Sequence, residues 1–180
     1  VPTSFINALV YLFDNRKDIP NEIVQGIYLK TINDSDGTSG QEIENLCSWL
    51  SNYNKDRRKN RGFSVKAIYK DGKNVNFDKL RAHVKKDNSC ALLSVKSEKN
   101  KWHYITILRY EKGYFYCFDP YYIRGHEDDK NGKELWRLGK FEDCNLKISI
   151  DFLKKRGDKY KYQSGKESDR ECVLINRIGK

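Results

Sequence analysis

The sequence predicts an α+β fold, with helices first and a mostly antiparallel sheet after them. Three observations carry this. Apolar residues recur at helical spacing as far as Ser51. From Phe63 onward they alternate with the period of a strand. A tight turn at Glu111-Lys112-Gly113 then folds one strand back beside its predecessor. The length of 180 residues matches one domain over 1–180, helical over 1–60 and sheet over 61–180. The chain is 38% hydrophobic, 33% charged and 13% aromatic, too aromatic for a disordered chain. It has no apolar run near the roughly 18 residues of a membrane span. A formal charge of +10 favours acidic partners, nucleic acid or a membrane surface among them, without identifying one.

The elements follow in order. "VPTSFINALVYLF" (Val1 to Phe13) reads as a helix apolar nearly all round, hence buried, with Pro2 in its first turn. "PNEIVQGIYLKT" (Pro20 to Thr31) is a second helix. "TSGQEIENLCSWLS" (Thr38 to Ser51) is a third, opened by a Ser39/Glu42 capping box. "KDRRKNR" (Lys55 to Arg61) is a basic loop. "FSVKAIY" (Phe63 to Tyr69) is a strand stopped at Asp71-Gly72, and "FDKLRAHVKK" (Phe77 to Lys86) is a short helix. "SCALLSVK" (Ser89 to Lys96), "WHYITILRY" (Trp102 to Tyr110) and "GYFYCFD" (Gly113 to Asp119) are strands. "RGHEDDKNGKE" (Arg124 to Glu134) is a polar insertion, and "NLKISI" (Asn145 to Ile150) and "ECVLINRI" (Glu171 to Ile178) are later strands.

The five cysteines (Cys47, Cys90, Cys117, Cys144, Cys172) lie far apart with no CxxC pair. Reduced, buried thiols are the expectation, which favours the cytoplasm and argues against a zinc knuckle.

The hairpin carries the chemistry. It brings the start of the histidine strand beside the end of the Asp-Pro strand, making neighbours of His103 and Asp119. On the first strand His103, Ile105 and Ile107 share one face, and Tyr104, Thr106 and Leu108 the other. An aspartate accepting from an imidazole N–H fixes the ring's tautomer and orientation, the base-plus-orienter half of a nucleophilic triad. The residues alone leave a plainer account open: a half-covered strand histidine, and an Asp-Pro step that ends a strand.

"VPTSFINALVYL" resembles the nucleophile helix of papain-like cysteine peptidases, and most closely that of the bacteriocin-leader (double-glycine) peptidases. Pro2, Thr3, Ser4, Asn7, Ala8 and Leu9 match that motif. "HYITILRY" resembles the family's histidine strand, "GYFYCFDP" its Asp-Pro strand, and "SCALLSVK" the strand before the histidine. The resemblance covers most of Val1 to Tyr122 and is loose beyond Asn145. It implies a papain-like fold, with His103 as base and Asp119 as its orienter. It implies a nucleophilic cysteine immediately before Val1 and an oxyanion-hole glutamine further upstream, neither of which is in this sequence. The expectation is therefore that the sequence as written is inactive: a piece of a longer protein, or a relative without its nucleophile. The opening in mid-motif, without methionine, points to the first.

The implied reaction is thiolate attack on a peptide carbonyl, with a peptide or protein as partner, leaders ending in Gly-Gly included, and with no metal or organic cofactor. Acyl-transfer and deamidating relatives use the same triad. The rival is a non-catalytic module on the same fold that binds a peptide or nucleic acid. For the latter, "KKRGDKYKYQSGK" (Lys154 to Lys166) sets Tyr160 and Tyr162 among lysines, as single-strand platforms do, although solvated loop charge explains it too. Cys47, Cys90 and Cys117 read as packing rather than substitute nucleophiles, and Thr3 and Ser4 as helix-capping hydroxyls. Trp102 points away from His103's face, and His83 and His126 read as surface residues.

Overall fold

The computed structural model describes residues 1–32, 37–53, 62–97, 101–120, 144–155 and 162–179, and the backbone of a strand at 135–137. The basic loop Lys55 to Arg61, the tract Arg124 to Glu134 with His126, and Tyr160 fall outside that set.

Three helices come first: α1 (Pro2–Phe13), α2 (Asn21–Thr31) and α3 (Gly40–Asn52). Phe5, Ala8, Leu9, Leu12 and Phe13 of α1 are buried, each large one worth about 1.5–3 kcal/mol. The left-handed Asp14 ends this helix, and the Arg177 guanidinium donates to the Leu12 carbonyl at 3.1 Å, placing a cation at the negative helix end. The capping box of α3 is present: the Ser39 hydroxyl accepts from the Glu42 amide, and the Glu42 carboxylate accepts from the Ser39 amide at 2.7 Å. Those bonds to the ionised form hold Glu42 below the usual carboxylate range.

Then come β1 (Val65–Asp71), α4 (Phe77–Val84), β2 (Ser89–Lys96), β3 (Trp102–Glu111), β4 (Tyr114–Phe118), β5 (Leu135–Arg137), β6 (Leu146–Ser149), α5 (Ile150–Leu153) and β7 (Glu171–Arg177). The seven strands described form one sheet in the order β1-β7-β2-β3-β4-β6-β5, with every neighbouring pair antiparallel. The expected α+β arrangement is what is found. The sheet is covered on both faces. Helices α1–α3 pack with Val65, Ala67, Cys90, Leu92, Tyr104, Val173 and Ile175 on one side. On the other, α4 and α5 pack with Ala91, Leu93, Ile105, Ile107, Phe115 and Cys117. That two-sided cover explains why β2 is buried along almost its whole length and reads as a continuous apolar run.

The first turn of α1 is laced to β3. The Ser4 hydroxyl donates to the Tyr104 carbonyl at 2.6 Å, and the Thr106 hydroxyl donates to the Ser4 carbonyl at 3.1 Å. Ser4→Ala is expected to destabilise the fold by about 1–2 kcal/mol, read as a lower urea midpoint at unchanged slope, because the buried Tyr104 carbonyl loses that donor.

His83 corrects the sequence reading. It is not a surface residue but a buried one, its Nε2 lying 3.1 Å from the Cys90 carbonyl and 3.2 Å from the Ile175 carbonyl. Helix α4 docks on the sheet with this ring on its inner face, and the strand carbonyls satisfy it. Burial pushes its pKa below the ordinary imidazole value. The unfolded chain therefore takes up a proton at His83 at a pH where the folded chain does not. Stability from this residue is present above about pH 6.5 and falls as pH drops below it. A His83→Gln variant is expected to show a shallower loss of melting temperature between about pH 7 and pH 5.

Candidate active site

The β3–β4 hairpin turns through Lys112 and Gly113, both at positive φ (47° and 91°), the requirement of a two-residue type I′ turn. Continued regularly from that turn, the register would set Asp119 opposite Thr106, on the face away from His103. A β-bulge between Ile107 and Arg109 takes up one residue. Thr106 then pairs with Phe118, and the next step puts Asp119 opposite Ile105, on the face His103 shares. His103 is the diagonal neighbour, within reach of a long side chain.

The two side chains meet. Asp119 Oδ1 lies 3.3 Å from His103 Nε2, with the imidazole 12% and the carboxylate 2% exposed. A carboxylate so deeply buried needs donors. The Tyr162 hydroxyl donates to Asp119 Oδ2 at 2.5 Å, and the Tyr162 ring stands edge-on to the imidazole with centroids 5.9 Å apart. Asn145 grips the backbone: its side-chain oxygen accepts from the Asp119 amide at 2.8 Å, and its amide donates to the Asp119 carbonyl at 2.9 Å. Sequence reasoning missed both partners. Asn145 carries no signal beyond its place at a strand start, and Tyr162 sits in a lysine-rich tract that reads as solvated.

Tyr162 is thus a second correction. It is 5% exposed and turned inward, so it offers no stacking face to a nucleic acid. Trp102 is 40% exposed, with its ring 5.8 Å from Lys96 Nζ and resting over Gly165, where an added Cβ would come to 2.5 Å of it.

The five cysteines are buried thiols outside any disulfide. Burial raises Cys47 and Cys172 to about 12 and pushes Cys90 and Cys117 well above the ordinary thiol value, so none of these four supplies a thiolate near neutral pH. Cys90 faces α1, its Sγ 3.8 Å from the Ala8 carbonyl, on the opposite side of the sheet from His103. Among the described residues, no cluster of three or more His, Cys, Asp or Glu side chains is arranged to hold a metal ion. Nor is any helix there long and apolar enough to cross a membrane.

A family model described as the Peptidase_C39 like family matches residues 1–144. The chain belongs to that family. Its α+β architecture is the papain-like fold of the Peptidase_C39 group, and it is a domain of cysteine-peptidase kind, whose substrate class is peptide or protein. No curated protein and no solved structure matches the chain. The match to the Peptidase_C39 like family spans α1 through the His–Asp hairpin. It ends one residue before Asn145 and well before Tyr162.

Proposed function

We propose that the protein is a papain-type cysteine peptidase in which His103 is the general base and Asp119 orients it. The observation that carries this reading is the 3.3 Å approach of Asp119 Oδ1 to His103 Nε2 inside a buried environment. With Nε2 turned to the carboxylate, the proton of an attacking thiol passes through Nδ1, which later returns it to the leaving amine. The thiol belongs to the cysteine that the family pattern puts immediately before Val1, ahead of α1. No side chain caps the first turn of α1 among the described residues, and amides and dipole there favour a thiolate. The lacing of Ser4 to Tyr104 and Thr106 fixes that turn one residue from His103 in the β3 sequence. Tyr104 lies on the α1 face and His103 alternates to the other, so the nucleophile approaches the imidazole around the end of β3, not through the sheet.

The test is alkylation of the chain extended upstream through that cysteine. Iodoacetamide near neutral pH is expected to label one thiol quickly and the five buried ones slowly, with His103→Ala slowing the fast one. Uniformly slow labelling would count against the reading and favour a peptide-binding module on the same fold. Once a fast thiol is shown, incubation with a peptide and an amine acceptor separates hydrolysis from acyl transfer.

A further inference from the structure

We propose that Tyr162 is a positioning residue of this site. It holds Asp119 through the oxygen that His103 does not use, and it does so from a part of the chain that the family match leaves out. The proposal rests on the peptidase reading above and extends it: the working group is Tyr162–Asp119–His103 followed by the thiol.

Four independent features of Tyr162 converge. Its hydroxyl donates at 2.5 Å to Asp119 Oδ2 while Oδ1 faces the imidazole, so the two carboxylate oxygens have divided roles. Its ring closes one side of the imidazole edge-on. It is buried, as are Gln163 and Ser164 after it. And its backbone is left-handed, at φ 66°, a conformation that costs a bulky residue of order 1 kcal/mol or more. Such strain persists only where surrounding contacts impose it. Here they are visible: the Tyr162 amide donates to the Lys96 carbonyl at 2.9 Å, and the Lys96 amide donates to the Gln163 carbonyl at 2.8 Å. That pair of bonds extends β2 sideways at its end, across from His103, since Val95 pairs with His103. The Ser164 amide and hydroxyl then both donate to the Leu153 carbonyl, tying the segment to α5. The late segment is therefore anchored to both β2 and α5, and the aromatic points at the carboxylate.

A tyrosine hydroxyl is suited to this place. It keeps its proton at neutral pH, donates one strong bond to an ionised carboxylate, and cannot compete with the imidazole for the second oxygen. Fixing the carboxylate this way fixes the imidazole ring and supports the imidazolium that forms beside a thiolate. Removing it leaves a buried carboxylate free to turn from Nε2.

The experiment uses the chain extended through its upstream cysteine and follows the second-order rate of iodoacetamide labelling against pH. Tyr162→Phe removes one oxygen and keeps the ring. It is expected to lower the neutral-pH rate roughly tenfold, the scale of one hydrogen bond to a charged group, and to move the acid limb of the profile to higher pH. Asp119→Asn is expected to do the same to a greater degree, and the double variant to be no slower than Asp119→Asn alone, because Tyr162 acts only through that carboxylate. A purely structural tyrosine would change the melting temperature without moving the acid limb. A wild-type rate and profile in Tyr162→Phe, with Asp119→Asn impaired, overturns the Tyr162 proposal and leaves the His–Asp pair standing. A fast thiol insensitive to Asp119→Asn overturns the peptidase reading, and the role of Tyr162 with it.

Discussion

His103→Ala, in a chain extended through the cysteine proposed before Val1, is expected to lower peptide cleavage by about 10³- to 10⁵-fold. The magnitude follows from what the imidazole does twice in one turnover. In the proposed mechanism it takes the thiol proton to make the nucleophile, and it hands that proton to the departing amine. Among the described residues, His83 is buried in α4 against the Cys90 and Ile175 carbonyls, and Asp119 is itself engaged by Tyr162. The loss should fall on kcat far more than on KM, because the imidazole meets the reacting atoms and not the length of the peptide. A steady-state assay checks this. A His103→Ala protein with near-normal kcat would assign the chemistry elsewhere.

The second large effect is on stability. Phe5→Ala is expected to cost about 3–5 kcal/mol and to lower the melting temperature by about 6–20 °C. Phe5 is fully buried one turn into α1, in the cluster that joins α1, α2 and α3 to the sheet. Removing the ring leaves a cavity in that cluster, beneath the helix whose first turn is laced to β3. Calorimetry measures the shift. A change of a degree or two would mean that α1 is not the keystone of this face. The same variant should also slow thiol labelling, since the site depends on where α1 begins.

Much of this was legible in the sequence, and the reasons are physical. Helix α1 announced itself because every turn is apolar, and α3 because Ser39 and Glu42 stand three apart. The hairpin was legible because His103 and Asp119 mark the open ends of two alternating segments joined by a glycine turn. The bulge was not. A simple alternation through Leu108 does not reveal the extra residue, yet with a two-residue turn it alone puts Asp119 on the face of His103. Strand β5 and the four-residue α5 were too short to leave a period. His83 was misread because flanking lysines dominate the local composition, whereas the inward face of an eight-residue helix is decided by the sheet it meets. Tyr162 and Asn145 were missed because their partner is distant in sequence: Asp119 lies 43 and 26 positions away. Local pattern carries no information about such a contact.

The central claim is that the Asp119 carboxylate and the His103 imidazole act as one unit, and the ring nitrogens report on it directly. The chain has only three histidines, so the ¹⁵N resonances of the His103 ring can be assigned by substituting the others. Measured with the imidazole neutral, they should show the proton held on Nε2 and Nδ1 left bare, with that preference abolished in Asp119→Ala. A ring protonated on Nδ1, unchanged when Asp119 is replaced, would contradict the account.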